Sequence, residues 1–290
     1  MNSGLDVVIW DVQHGSAVYV KTPGGKHIAI DLGTGSYGYS DKNFSPLSHL
    51  HDRYGVHQLD AVIITHPHRD HLDDIHCFNA LAPKVLMASK HLQDSDMYDG
   101  NAPESRHIIE KYIEIRKRYN ADIPWESGNN PFSAANNGGV NIRCFIPNTC
   151  ARSNLNNHSV VAVLEYASHK MIIPGDNEPA SWSELLSSPD FKKAIQGTTV
   201  FVASHHGRES GFSSDLLQCI QPYLTIISDG AYCDTSATSR YSQKSRGWNV
   251  KKRSGGSESR NCVTTRNDGV VYISLEHGAD GQSYMEVSVD

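Results

Sequence analysis

Residues 65–71 read THPHRDH and continue directly from the apolar run LDAVIIT. No other stretch constrains the chain as strongly. The run has the composition of a strand covered on both faces. Side chains alternate along a strand, so His66 and His68 project the same way, and Pro67 stiffens the backbone between them. A turn into a helix then brings Asp70 and His71 to an adjacent position. One short segment thus offers two ligands to each of two neighbouring cations. Imidazole and carboxylate suit zinc, and also manganese or iron. The plainer alternative is a polar turn whose histidines only hydrogen-bond.

The chain has 290 residues, enough to bury a full core, and no linker long enough to separate domains, so a single domain over 1–290 is expected. No apolar stretch approaches the roughly 20 residues that span a bilayer, and the start MNSGLDVVIWDV carries no signal-peptide pattern. Cys77, Cys144, Cys150, Cys219, Cys233 and Cys262 lack CxxC spacing and read as reduced thiols. These features predict a cytoplasmic protein without membrane association. The net charge of −6 gives no global attraction to nucleic acid, so a polyanion would have to be met by a local patch.

The pattern of elements predicts an α/β chain. AVYVKTPGGKHIAIDLGTG reads as a hairpin, and LDDIHCFNAL has helical spacing. ESRHIIEKYIEIRKRY is the strongest amphipathic helix. The strand pattern then restarts with VNIRCFIP and the hairpin HSVVAVLEYASHKMIIPGD. TTVFVAS and LTIISDG read as strands between helices, and late strands follow in CVTTRNDGVVYISL. Strand clusters separated by helices, occurring twice, suggest two packed sheets with helices outside.

THPHRDH resembles the HxHxDH motif of the metallo-β-lactamase fold. Further along, DVQHGSAVYVKTPGGKHIAIDLGTG, NNHSVVAVLEYASHKMIIPGD, FVASHHGRESGF and CVTTRNDGVVYISL resemble, in order, segments of the nuclease domain of ComEC-type DNA-uptake proteins. The resemblance implies an αββα sandwich of two mixed β-sheets with helices on the outer faces, and a closing hairpin in CVTTRNDGVVYISL. It also implies two divalent ions, Zn2+ or Mn2+, that activate water as a hydroxide nucleophile. His66, His68, Asp70 and His71 would be ligands, Asp176 a shared carboxylate at a strand end, and His205 the last ligand, with His206 able to exchange with it. His158 would complete the first site; the alternative is two histidines with Asp176 and solvent. Asp31 would orient a ligand histidine. Asp70 would also orient the nucleophile, and His206 or His14 would protonate the leaving oxygen, although a surface turn is the plainer reading of His14.

Several residues depart from the family pattern. Asp73 and Asp74 stand where glycines are usual, and could repel a polyanion or suit a helix dipole. Arg208 replaces a serine and would clamp a phosphate or pair with Glu209. Asn157 is a candidate substrate contact. Residues 240–260 are the most basic stretch, and Lys251, Lys252 and Arg253 are candidate phosphate contacts unless the stretch is a solvated loop. The leading expectation is a metal-dependent phosphodiesterase or nuclease acting on a nucleic acid or nucleotide phosphodiester. The alternatives are a hydrolase of a small cyclic or signalling nucleotide, and a non-catalytic nucleotide-binding regulatory module.

Overall fold

The computed structural model describes residues 4–35, 44–122, 128–230 and 236–290. Its strands are β1 (Leu5–Ile9), β2 (Ala17–Lys21), β3 (His27–Leu32), β4 (Ala61–Ile63), β5 (Leu86–Met87), β6 (Asn141–Phe145), β7 (Val161–Tyr166) and β8 (His169–Ile173). These are followed by β9 (Val200–Val202), β10 (Leu224–Ile227), β11 (Trp248–Lys252), β12 (Ser257–Arg260), β13 (Cys262–Thr264), β14 (Val271–His277) and β15 (Ser283–Val289). One sheet runs β12-β11-β15-β14-β1-β2-β3-β4-β5, and the other β13-β10-β9-β8-β7-β6. Both are mixed. The β3–β4–β5 and β8–β9–β10–β13 runs are parallel, whereas β1–β2–β3 and β6–β7–β8 are antiparallel.

Two-residue periodicity builds the layers. Val7 and Ile9, Ile28 and Ile30, Ala162 and Leu164, Val200 and Val202 all point into the space between the sheets. Their neighbours point outward. Val8, Ala29 and Val62 meet the helices Pro46–Tyr54 and Arg106–Arg118. Val161, Val163 and Phe201 meet the helices Pro179–Ser187, Pro189–Ile195 and Ser214–Ile220. Each buried Val, Leu, Ile or Phe contributes about 1.5–3 kcal/mol of burial, so both faces of each sheet must be covered. The result is the expected αββα sandwich.

Two expectations about local structure need correction. CVTTRNDGVVYISL is not a hairpin. Thr264 caps a one-turn helix, Thr265–Asp268, and the chain crosses from β13 in one sheet to β14 in the other. Residues 240–260 are not an open loop. They finish the helix Thr238–Lys244 and form the β11–β12 hairpin at the edge of the larger sheet. No helix among the described residues is long and apolar enough to cross a membrane. Cys77, Cys144, Cys150, Cys219 and Cys262 are free thiols, and Cys233 lies outside the described residues.

Candidate metal centre

Parallel neighbours end at the same edge of a sheet. The β3 and β4 ends in one sheet therefore meet the β8, β9 and β10 ends in the other. A hydrogen bond stitches the two together, the Val160 amide donating to the Thr65 carbonyl at 2.8 Å, while within the second sheet the His205 amide donates to the Gly175 carbonyl at 3.3 Å. The histidine motif leaves β4 at this junction. Asp70 and His71 occupy a single 3-10 turn, Arg69–His71.

The backbone of that turn rests in a cradle. The Ser16 amide donates to the Asp70 carbonyl at 3.2 Å. A Cβ on Gly15 or on Gly33 would lie 2.5 Å from the same carbonyl oxygen. Both loops that carry these glycines, DVQHGSA and IDLG, therefore hold Asp70 in place through the absence of a side chain. On the opposite side, Gly175 adopts φ +60° and passes so close to Thr65 that a Cβ would meet the Thr65 side chain at 2.6 Å. It delivers Asp176, whose amide donates to Ser159 Oγ at 3.1 Å.

Asp70, His71, Asp176 and His206 form one cluster in which the potential ligand atoms all lie within 4.8 Å of one another. His71 Nε2 is 3.3 Å from Asp176 Oδ1 and 3.3 Å from His206 Nε2. His206 Nε2 is 3.1 Å from Asp70 Oδ2 and 3.5 Å from Asp176 Oδ2. The far nitrogens are tied back. Asp31 Oδ2 accepts from His71 Nδ1 at 2.7 Å, and the Ser228 carbonyl accepts from His206 Nδ1 at 2.9 Å. Both rings thus aim Nε2 inward, the arrangement that metal-ligating histidines require. Asp31 occupies the place expected for a residue that orients a ligand.

Charge balance points the same way. Burial would raise the pKa values of Asp70 and Asp176, but the neighbouring His71 and His206 hold both well below the usual carboxylate range. Burial would keep His71 and His206 neutral, yet Asp176 and the adjacent carboxylates push His71 well up and His206 to about 10. Protons here balance buried negative charge that a divalent cation would balance instead. The oxygen and imidazole donors, their spacing and their anchored rings fit such an ion.

The rest of the motif adjoins the cluster, the His66 and His71 ring centres being 4.2 Å apart. His66 Nε2 is 3.8 Å from Asp176 Oδ2 and 2.9 Å from His68 Nδ1. Burial, then the His71 charge, lowers the pKa of His66; burial also lowers that of His68.

The histidine pair after β9 departs from the expected order. The tight cluster contains His206, not His205, and both nitrogens of His206 are engaged there. The reason is backbone: His205 and His206 both take left-handed φ, +51° and +52°, so strand alternation does not predict where either ring points. His205 has Nε2 3.9 Å from Asp176 Oδ2.

Other expected contacts are redistributed. His158 is fully buried with neither ring nitrogen hydrogen-bonded, and no described ion pair or ring contact joins it to the cluster. Asn157 Oδ1 accepts from the Glu178 amide at 3.3 Å, so it serves a helix start, and the neighbouring Asn156 faces the cavity. Asp74 accepts from the Leu47 amide and Ser45 Oγ at 2.8 Å each and caps the helix Pro46–Tyr54; Asp73 accepts from Arg69 Nε at 2.9 Å. Glu209 pairs with Arg240, which leaves Arg208 turned into the cavity. His14, which reads as a surface turn in the sequence, also lines the cavity, with Nε2 3.4 Å from Asp70 Oδ2.

Lys251, Lys252 and Arg253 are not brought to the site. Lys251 pairs with Glu286, Lys252 with Glu258 at 3.5 Å, and Arg253 with Asp290 at 3.6 Å. β11 is six strands from β4 in sheet order, roughly 29 Å along the sheet at ~4.8 Å per strand. The cavity at the cluster has a volume of about 420 Å³, and His68, Arg69, Asn101 and Ser105 are among its walls.

The chain is 22% identical over 243 residues to ComE operon protein 3 of Bacillus subtilis, a match covering 79% of this chain and 29% of that protein. It therefore spans well under a third of that relative's length. The two mixed sheets with outer helices, and the His/Asp cluster at their strand ends, match what the sequence resemblance to the metallo-β-lactamase fold predicts. Solved structures of similar shape include Zn2+-bound PqqB from Methylobacterium extorquens, at 12% identity and TM-score 0.45, covering 93% of this chain and 99% of that one. Another is a diphosphatase of the PhnP family, at 11% identity and TM-score 0.44, covering 94% and 98%. No family model matches the chain.

Proposed function

We propose that this metallo-β-lactamase-fold chain hydrolyses phosphodiesters at two divalent cations, Zn2+ or Mn2+, that share Asp176. The observation that carries the reading is the position of that carboxylate, with His71 3.3 Å from Oδ1 and His206, His66 and His205 3.5, 3.8 and 3.9 Å from Oδ2. Divalent cations so placed would bring the pKa of a held water towards about 7 and offset charge on a phosphoryl oxygen. The protein's own part is orientation and charge. Asp31 and the Ser228 carbonyl fix two rings, and Asp70 reaches the same cluster from the cradled turn. The Arg208 guanidinium, on the cavity wall, is placed to bind a phosphate oxygen.

The resemblance of the motif segments to the nuclease domain of ComEC-type DNA-uptake proteins supports a nucleic-acid phosphodiester as substrate. Two observations favour a second reading, a small cyclic or signalling nucleotide. The cavity volume is near the lower end of the usual range for small-ligand sites, and the most basic strand is paired with carboxylates away from it. A substrate panel decides between them. Labelled single-stranded DNA and RNA, a cyclic dinucleotide and bis-p-nitrophenyl phosphate are each incubated with Mn2+ or Zn2+, with and without chelator. Cleavage that stops with chelator and with His66→Ala/His68→Ala is expected. Equal rates for the wild type and this double variant on every substrate would refute catalysis by the site.

A further inference from the structure

His205 makes contacts that the cluster around Asp70 does not explain. Its Nδ1 is 3.3 Å from Glu178 Oε1 and 2.9 Å from Ser210 Oγ. Its Nε2 is 3.2 Å from Arg208 Nη1 and 3.9 Å from Asp176 Oδ2. A guanidinium can only donate, so Nε2 must be the unprotonated nitrogen. The ring proton is then on Nδ1, facing Glu178. This is the tautomer a cation needs, with Nε2 free of a proton and already accepting from a positive group.

Glu178 is built to hold that tautomer. Asn154 Nδ2 donates to Oε2 at 2.7 Å and Asn156 Nδ2 to Oε1 at 3.2 Å. With His205, three N–H donors converge on one carboxylate. The arrangement repeats the Asp31–His71 pair. His158 shows no comparable fixing: neither of its nitrogens has a partner, and it makes no described contact with Asp176.

We infer that His205, oriented by Glu178, supplies the third imidazole of the cation position formed by His66, His68 and Asp176, and that His158 does not. This rests on the two-cation reading above. Glu178 is a positioning residue in this arrangement. It touches neither substrate nor cation, and acts by holding the His205 proton on Nδ1, so that Nε2, 3.9 Å from Asp176 Oδ2, is the nitrogen left to accept.

The test measures metal uptake rather than turnover. The chain, stripped with chelator, is titrated with Co2+ by visible absorbance, and bound Zn2+ is counted by elemental analysis. Wild type, His205→Ala, Glu178→Gln, His66→Ala and His158→Ala are compared, each checked for folding by circular dichroism. Wild type should bind two ions per chain, and His205→Ala one. Glutamine offers one oxygen where three donors converge, so Glu178→Gln should bind the second ion about 10–100-fold more weakly. His158→Ala should keep both. Two tight ions in His205→Ala, or the loss of one in His158→Ala, would overturn the assignment while leaving the proposed function standing, provided His66→Ala loses an ion. Fewer than two ions in the wild type would overturn the two-cation reading itself.

Discussion

Asp31→Asn separates shape from charge at the cluster. Asp31 is wholly buried at φ +59°, a backbone conformation that asparagine tolerates as well as aspartate, so the loop should not move. In the wild type Oδ1 accepts from the Thr65 amide at 2.8 Å, and Oδ2 accepts from Thr65 Oγ1 at 2.8 Å and from His71 Nδ1 at 2.7 Å. In the variant the side-chain oxygen keeps the Thr65 amide, and an NH2 group replaces Oδ2. Two donors cannot face each other at that distance. His71 must accept through Nδ1 and carry its proton on Nε2, which points at Asp176 and His206. A protonated Nε2 cannot hold a cation.

The expected loss is therefore in metal affinity, about 10–100-fold, with intrinsic stability reduced by only about 1–2 kcal/mol as a charged acceptor becomes neutral. Linkage converts this into an assay. At a free Mn2+ concentration 100 times the wild-type Kd, binding stabilises the wild type by about 2.7 kcal/mol; the variant should gain only about 0.4–1.4 kcal/mol. Urea unfolding with and without Mn2+ reads both numbers. Asp31→Ala is the contrast. It leaves the Thr65 amide and the His71 ring N–H without acceptors, at about 1–3 kcal/mol each, and should lower stability by about 2–6 kcal/mol even without metal. If Asp31→Asn gains as much from Mn2+ as the wild type does, the claim that Asp31 sets the His71 tautomer is wrong.

Three further outcomes follow from the same geometry. Gly33→Ala places a Cβ 2.5 Å from the Asp70 carbonyl and 2.9 Å from both the amide nitrogen and the carbonyl oxygen of Ser16, so it should cost about 1–3 kcal/mol in urea unfolding and weaken metal binding; a change under about 0.5 kcal/mol would remove the cradle from the account. Asp60 is held below the usual carboxylate range because, against the burial that would raise it, Lys84 at 2.9 Å, the His27 amide at 3.0 Å and Lys26 at 3.3 Å prevail. A depressed carboxylate stabilises above its unfolded pKa of about 3.9, so Asp60→Asn should cost about 1–2 kcal/mol at pH 7, and the difference should shrink as pH falls from about 4 through the folded pKa; a gap that widens on acidification would contradict this sign. Neutralising Lys251, Lys252 and Arg253 together should leave affinity for a labelled single strand within about threefold and its salt dependence unchanged, because each cation already faces a carboxylate; a fall of two to three units in the log–log salt slope would restore that strand as a phosphate-binding surface.

The parts of this molecule legible in sequence are those governed by a period or a fixed spacing. Val7, Val8 and Ile9 alternate between two cores as a strand covered on both faces must, and THPHRDH lies where an apolar strand ends. What could not be read depends on backbone that departs from the period. CVTTRNDGVVYISL has the Asn-Asp-Gly of a hairpin turn, but Thr264 uses its hydroxyl to cap a helix, and the two strands then join different sheets. β12 is SESR, with no apolar side chain to mark it, because an edge strand facing water keeps its place through the β11 ladder alone.

The histidine pair shows the same limit where it matters most. In an extended strand two adjacent residues face opposite ways, so one imidazole of His205–His206 should be lost to the site, and choosing between them is the natural question. Two consecutive left-handed residues remove that choice. Both rings reach Asp176 Oδ2, His206 at 3.5 Å and in contact with Asp70 as well, His205 at 3.9 Å, with 6.3 Å between ring centres. Left-handed backbone at two non-glycine residues is strained, at about 1–3 kcal/mol each, and persists only where surrounding contacts over-determine it. Here the Ser228 carbonyl fixes one ring and Glu178 with Ser210 the other, while Ser204 Oγ anchors the turn to the Asn177 carbonyl at 2.5 Å. Replacing either histidine by glycine would relieve the strain as well as remove a ring. Stability of the metal-free chain should then fall less for His205→Gly than for His205→Ala, although both lose the same contacts. Equal losses in urea unfolding would mean that the turn carries no strain, and that the double left-handed bend is not what brings both rings to Asp176.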